Sequence, residues 1–142
     1  MKIANPTDVL LLDASVWVAA KDGSDRHFGP ARILAVSPEV PVAALDLTLY
    51  EVSNALGARR GQLEAARSLC RLIARRCHED LLDVDLDLVE AALEVSQQYG
   101  LTAYDAAYVA AAERTGWTLV STDIRDLVSK GLAVTPEAAD YP

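Results

Sequence analysis

The chain has 142 residues, a formal net charge of −8 and a hydrophobic share of 51%. That length suits a single domain with its own core, over residues 1–142, and the composition excludes disordered and collagen-like classes. No uncharged apolar run approaches the ~18 residues of a membrane span. Residues Met1 to Asp8 lack the apolar stretch of a secretory leader. The expectation is a cytoplasmic protein without membrane association, and the acidic balance argues against nonspecific nucleic-acid binding.

The chain opens on a continuous apolar run, Val9 to Leu12, ending at Asp13. This reads as a fully buried strand, followed by a short helix to Ala20. A polar loop from Lys21 leads to Pro30, which suits the first turn of a helix reaching Val36. Val40 to Ala43 reads as a second strand. Asp46 to Arg60 is helical, with Leu45, Leu49, Val52 and Leu56 at helix spacing. Gln62 to Cys77 is a second helix of the pair.

Leu81 to Val84 reads as a third strand. Leu86 to Tyr99 is an amphipathic helix closed by Gly100, and Thr102 to Thr115 a helix closed by Gly116. Thr118 to Ser121 is a fourth strand, Ile124 to Lys130 a short helix, and Leu132 to Val134 a last short strand. Strands alternating with helices predict an α/β fold with a parallel sheet covered on both faces and right-handed crossovers.

Six of the 13 basic residues, Arg59, Arg60, Arg67, Arg71, Arg75 and Arg76, lie close together. Arg67, Arg71 and Arg75 form an i, i+4, i+8 stripe on one helix face. The stripe is either an ordinary solvated face or a strip that contacts phosphate or a partner. Leu63, Ala66, Cys70, Ile73 and Cys77 fall on the opposite, apolar face. The two cysteines are about 10 Å apart along that helix, too far for a disulfide, and read as buried free thiols. His78 has no second ligand pair nearby, so zinc is set aside.

Four acids carry the chemistry: Asp13, Glu51, Asp105 and Asp123. Each falls at the carboxyl end of a strand or in the first turns of the next helix, positions that converge on one crevice in an open parallel sheet. Each also has a structural reading. Asp13 and Asp123 can cap helices. Thr48-x-x-Glu51 and Thr102-x-x-Asp105 match capping pairs. Asp126 is a fifth acid of the same region, and Ser15 and Thr122 can supply hydroxyls. Like charges ~4 Å apart repel by about 4 kcal/mol at an effective dielectric near 20. One or two Mg²⁺ or Mn²⁺ ions would relieve that repulsion while keeping water as a ligand. Metal-bound water is more acidic, and an acid outside the metal shell can take its proton. Such a site suits phosphodiester hydrolysis.

Four blocks appear in order: Leu-Leu-Asp-Ala-Ser-Val, Tyr-Glu-Val-Ser-Asn-Ala-Leu, Leu-Thr-Ala-Tyr-Asp-Ala-Ala-Tyr-Val-Ala-Ala-Ala and Leu-Val-Ser-Thr-Asp. Together they resemble the PIN-domain family, and within it the VapC-type toxins of type II toxin–antitoxin pairs. The resemblance runs from about Val9 to Val134. It implies a three-layer α/β/α sandwich with a mainly parallel, doubly wound sheet. It implies a Mg²⁺-dependent endoribonuclease in which Asp13, Glu51, Asp105 and Asp123 hold metal and catalyse. It further implies a homodimer, a structured RNA substrate of the tRNA or rRNA class, and a VapB-like antitoxin that covers the site. The fourth ligand is the most variable in such families, and here both Asp123 and Asp126 are available.

Other classes fit less well. A haloacid-dehalogenase phosphatase wants Asp-x-Asp after the first strand, where this chain has Ser15. P-loop and Rossmann fingerprints are absent. A receiver-like regulatory module wants a lysine after a late strand, and Lys130 lies too far along. An inactive interaction module with the same fold would have no need of the acids.

Overall fold

The computed structural model describes residues 9–141, so the reading of the first eight residues lies outside the described part. Four parallel strands form one sheet: β1 (Leu10–Leu12), β2 (Val42–Leu45), β3 (Leu81–Leu82) and β4 (Thr118–Val120), in the spatial order β3-β2-β1-β4. Leu10 pairs with Val42 on one side and with Thr118 on the other. The chain thus starts in the sheet interior, moves outward through β2 and β3, and returns to the far side of β1 as β4. The reversal between β1 and β4 is the switch point at which doubly wound sheets open a crevice beyond their carboxyl ends.

Three strand expectations change. The second strand begins two residues late, at Val42, because Pro41 has no N–H for the ladder; only its carbonyl serves, accepting from the Leu10 N–H at 2.9 Å. The third strand shortens to two residues, and the last reduces to a single parallel bridge between Val120 and Val134.

Helices cover both faces. They are α1 (Ala14–Ala19), α2 (Phe28–Val36), α3 (Leu47–Val52), α4 (Leu63–Cys77), α5 (Leu86–Tyr99) and α6 (Ala103–Thr115). Side chains alternate across the sheet. Leu10, Leu12, Val42 and Ala44 pack with α1 to α4, around Trp17, Leu34, Leu69 and Ile73. Leu11, Ala43, Leu45 and Leu119 pack on the other side with α5 and α6. The result is the expected three-layer α/β/α sandwich. Gly100 and Gly116 end α5 and α6 in the left-handed region, with φ of 67° and 80°.

The predicted helix Asp46 to Arg60 is one continuous rod that widens halfway. Beyond α3, residues Ser53–Ala58 form a π-helical segment, and the Arg59 N–H reaches back five residues to the Asn54 carbonyl at 2.9 Å. Ile124–Val128 is wound the same way. Widened turns of this kind collect near functional sites, and both lie beside the crevice.

Two readings of α4 change as well. Leu63 does not join the core; it is 62% exposed. Cys77 is buried, but Cys70 is only partly so, its thiol directed at the Leu49 carbonyl at 3.6 Å. Arg76 leaves the cationic group altogether. Its guanidinium donates to the carbonyls of Ala35, Leu34 and Val40 at 2.8, 3.0 and 2.9 Å, closing the carboxyl end of α2. Arg67, Arg71 and Arg75 remain exposed, with Arg67 paired to Glu64.

Candidate active site

Asp13 stands at the carboxyl end of β1, outside the close trio formed by Asp105, Asp123 and Asp126 but near enough for the Asp105 charge to act on it. It follows the fully buried β1, and its own N–H donates to the Val120 carbonyl of β4 at 3.1 Å. Its carboxylate caps α1 by accepting from the Val16 N–H at 3.3 Å. The Ser15 hydroxyl also donates to Asp13 and accepts from the Thr122 N–H at 3.0 Å, linking the ends of β1 and β4. Asp13 is only 5% exposed. Burial pushes its carboxyl up to about 6; hydrogen bonds from Ser121, Ser15 and Val16 oppose the shift, and the charge of Asp105 adds to it.

Asp105 enters from the first turn of α6. Thr102 caps that helix by accepting from the Asp105 N–H at 3.2 Å, so the predicted capping pair forms while leaving the carboxylate itself free to face the crevice. Burial raises the carboxyl, and the charges of Asp123, Glu51 and Asp126 raise it further.

Asp123 follows β4 and caps the Ile124–Val128 turn by accepting from the Asp126 N–H at 3.0 Å. Its own N–H is held by the Ser121 hydroxyl at 3.0 Å. Carboxylate oxygens of Asp105, Asp123 and Asp126 lie within 4.8 Å of one another. Asp123 and Asp126, alternatives in the sequence, therefore both belong to the crevice. The capping bond from the Asp126 N–H to the Asp123 carboxylate keeps the two residues together.

Glu51, on α3, also lies outside that close trio and belongs to the wall of the adjoining groove. Burial raises its carboxyl, and a hydrogen bond from Tyr108 holds it down. The capping box expected of Thr48 and Glu51 does not form. The cap position of α3 is Asp46, which makes no side-chain cap bond. Thr48 is instead fully buried, its hydroxyl 2.7 Å from the Tyr108 hydroxyl, which in turn donates to Glu51 Oε1 at 2.7 Å. A phenol that gives its one proton to Glu51 must accept from Thr48. Burial, then the charges of Glu51 and Asp13, push the phenol well above its ordinary range, so it stays a donor.

Tyr108 escaped the sequence reading, although its position three residues after Asp105 on one helix was a usable signal. Of the hydroxyls proposed, Ser15 bonds Asp13; Thr122 contributes its backbone N–H. The donor set is all carboxylate oxygen with neutral hydroxyls behind it, and no Lys or Arg bonds to Asp13, Glu51, Asp105 or Asp123 among the described residues. Arg125 Nε stands 3.7 Å from Asp126 at the rim. Carboxylates gathered without a cation fit a hard divalent metal.

Beside the acids lies a groove of about 700 Å³, lined by Ser15, Tyr50, Glu51, Asn54, Arg59 and Tyr104 among others. No described helix is long and apolar enough to cross a membrane.

Known proteins share this fold. The family model described as PIN domain matches residues 10–129. The chain is 37% identical over 137 residues to Ribonuclease VapC3 of Pyrobaculum aerophilum, covering 89% of this chain and 98% of that protein. It is 40% identical over 125 residues to Exonuclease VapC9 of the same organism, covering 84% of each. Among solved structures, Mycobacterium tuberculosis VapC20, described as a Sarcin-Ricin loop cleaving toxin, superposes with a TM-score of 0.71 at 24% identity over 86% of this chain and 95% of that one. A crevice of acids at the β1/β4 switch point, in a chain matched by that family model from its first strand to the turn after its fourth, has one interpretation: this protein belongs to the PIN-domain family, in its VapC branch.

Proposed function

We propose that this chain is a Mg²⁺-dependent endoribonuclease toxin that cleaves structured RNA of the tRNA or rRNA class and is neutralised by a VapB-like antitoxin. The observation that carries the reading is the convergence of Asp105, Asp123 and Asp126 to within 4.8 Å, with the buried Asp13 near enough to feel the Asp105 charge. The relatives named VapC3 and VapC9 are a ribonuclease and an exonuclease, which supports nucleic-acid hydrolysis. Mn²⁺ would fit the same donor set. Homodimerisation and a cytoplasmic location complete the reading.

Asp13, Glu51, Asp105 and Asp123 would hold the metal, with Asp126 alongside. Bound there, a divalent cation acidifies water and neutralises charge on the scissile phosphate and the leaving oxygen. The chain's residues do the rest. Ser15 and the Val16 N–H fix the Asp13 carboxylate. Tyr108 fixes that of Glu51.

The test is direct. Purified protein is mixed with structured RNA and Mg²⁺, then with EDTA, and the Asp13→Asn and Asp105→Asn variants are run beside it. Internal cleavage that needs Mg²⁺ and is lost in both variants is expected. Undiminished cleavage in both variants would overturn the assignment.

A further inference from the structure

Two site acids are each preceded by an exposed tyrosine: Tyr50 before Glu51 on α3, and Tyr104 before Asp105 on α6. Consecutive helix positions point about 100° apart. When the carboxylate turns into the crevice, its neighbour stands at the rim. Tyr50 is 81% and Tyr104 59% exposed, so much of each ring stays open to solvent among the described residues. Both line the same groove beside the acids, along with Asn54 and Arg59. Arg59 is exposed, and no carboxylate lies within ion-pair distance of it among the described residues.

We infer that Tyr50 and Tyr104 form a base-stacking subsite that takes unpaired nucleotides of RNA next to the scissile phosphate, with Arg59 on the neighbouring backbone phosphate. The inference deepens the nuclease reading and rests on it for its substrate class. An aromatic face accepts any base, at a gain that alanine substitution can read. A duplex hides its base faces, so the subsite selects loops, bulges and ends. This reconciles a chain of net charge −8 with RNA binding: stacking supplies affinity that the overall charge withholds, and Arg59 supplies a local positive field. A protein strand is the rival occupant. It is better suited to the separate groove of about 650 Å³ between α3 and α4, lined by Leu49, Leu63 and Ala66, which has no aromatic face.

The experiment measures fluorescence anisotropy of a labelled eight-nucleotide single-stranded RNA, on the Asp105→Asn chain so that the probe survives. Tyr50→Ala and Tyr104→Ala are each expected to weaken binding about tenfold, while Tyr50→Phe and Tyr104→Phe retain it. A probe with abasic sites should lose the same factor on the parent chain and nothing more on the alanine variants. Both positions are exposed on helices, so alanine leaves folding intact, which circular dichroism checks. Alanine variants that bind the intact probe like the parent would overturn the subsite. So would unchanged RNA affinity beside an altered oligomer mass in light scattering, which would make the tyrosines a protein contact. Cleavage by the wild-type chain is read in parallel. Normal Mg²⁺-dependent cleavage with unchanged affinities fails the subsite alone; absent cleavage with the stacking losses present fails the nuclease reading alone.

Discussion

The Tyr108 hydroxyl donates to Glu51 Oε1 at 2.7 Å and stands 2.7 Å from the Thr48 hydroxyl, so one buried phenol ties α6 to α3 behind the acidic crevice. It is the element that aligns the Glu51 wall with Asp105, which rises from the same helix as Tyr108. Tyr108→Phe removes both bonds and leaves Thr48 fully buried without its partner. Urea unfolding should show a loss of about 1–3 kcal/mol. Mg²⁺ affinity should fall as well, because Glu51 loses the donor that opposes its raised carboxyl. A variant with unchanged metal affinity would reduce Tyr108 to packing.

Acid–base linkage gives the metal-free protein an uncommon pH profile. Asp13 titrates near 6 in the fold against 3.8 for the ordinary group. Between those values the folded state binds more protons than the unfolded chain, so stability is fully present below about 4 and declines as pH rises to about 6. The decline from this group is about 3 kcal/mol. Asp105 and Glu51, also raised, act in the same direction. Melting temperatures in EDTA across pH 4 to 7 should fall, and Asp13→Asn should flatten the curve. A profile that rises through that window would contradict the buried, unpaired Asp13.

Added Mg²⁺ should reverse the decline at pH 7 and above. At a concentration 100-fold over its dissociation constant, the gain is about 2.7 kcal/mol. Asp105→Asn and Asp126→Asn should each weaken the response, since both carboxylates stand in the close trio. Asp123→Asn should weaken it too while keeping the cap, because Asn caps as well as Asp. Calorimetric melts in Mg²⁺ decide the matter, and a melt indifferent to metal would remove the shared site.

The arginines of α4 should separate cleanly. Arg76→Ala removes the donor from three carbonyls, two in the last turn of α2 and that of Val40 beyond it, and should cost about 2–3 kcal/mol in urea unfolding. Arg75→Ala, one residue earlier but exposed, should change stability by less than ~0.5 kcal/mol. Equal losses at the two positions would contradict the capping role.

Periodicity and punctuation in the chain carried most of the architecture. The short apolar run that stops at Asp13 is a strand buried on both faces, and Gly100 and Gly116 stop their helices because each takes a left-handed conformation there. The four acids stood out by position, at strand ends and helix starts, although Asp13 and Asp123 also serve there as helix caps. Short-range chemistry was less reliable. Thr48 and Glu51 have capping-box spacing, yet Thr48 faces the core and finds Tyr108, 60 residues on, because burial without a partner would cost more than a lost cap. Arg76 reads as one of a cationic cluster until α2 ends beside it.

Whether Asp123 or Asp126 stands beside Asp105 was undecidable from spacing, and both do, because Asp123 caps the turn that carries Asp126 and the return of β4 beside β1 brings that turn to α6. Local pattern settles which segments are strands and helices, since each must hide its own apolar face. Which side chains meet across those segments depends on strand order and crossover, and these arise only when β4 returns to the far side of β1.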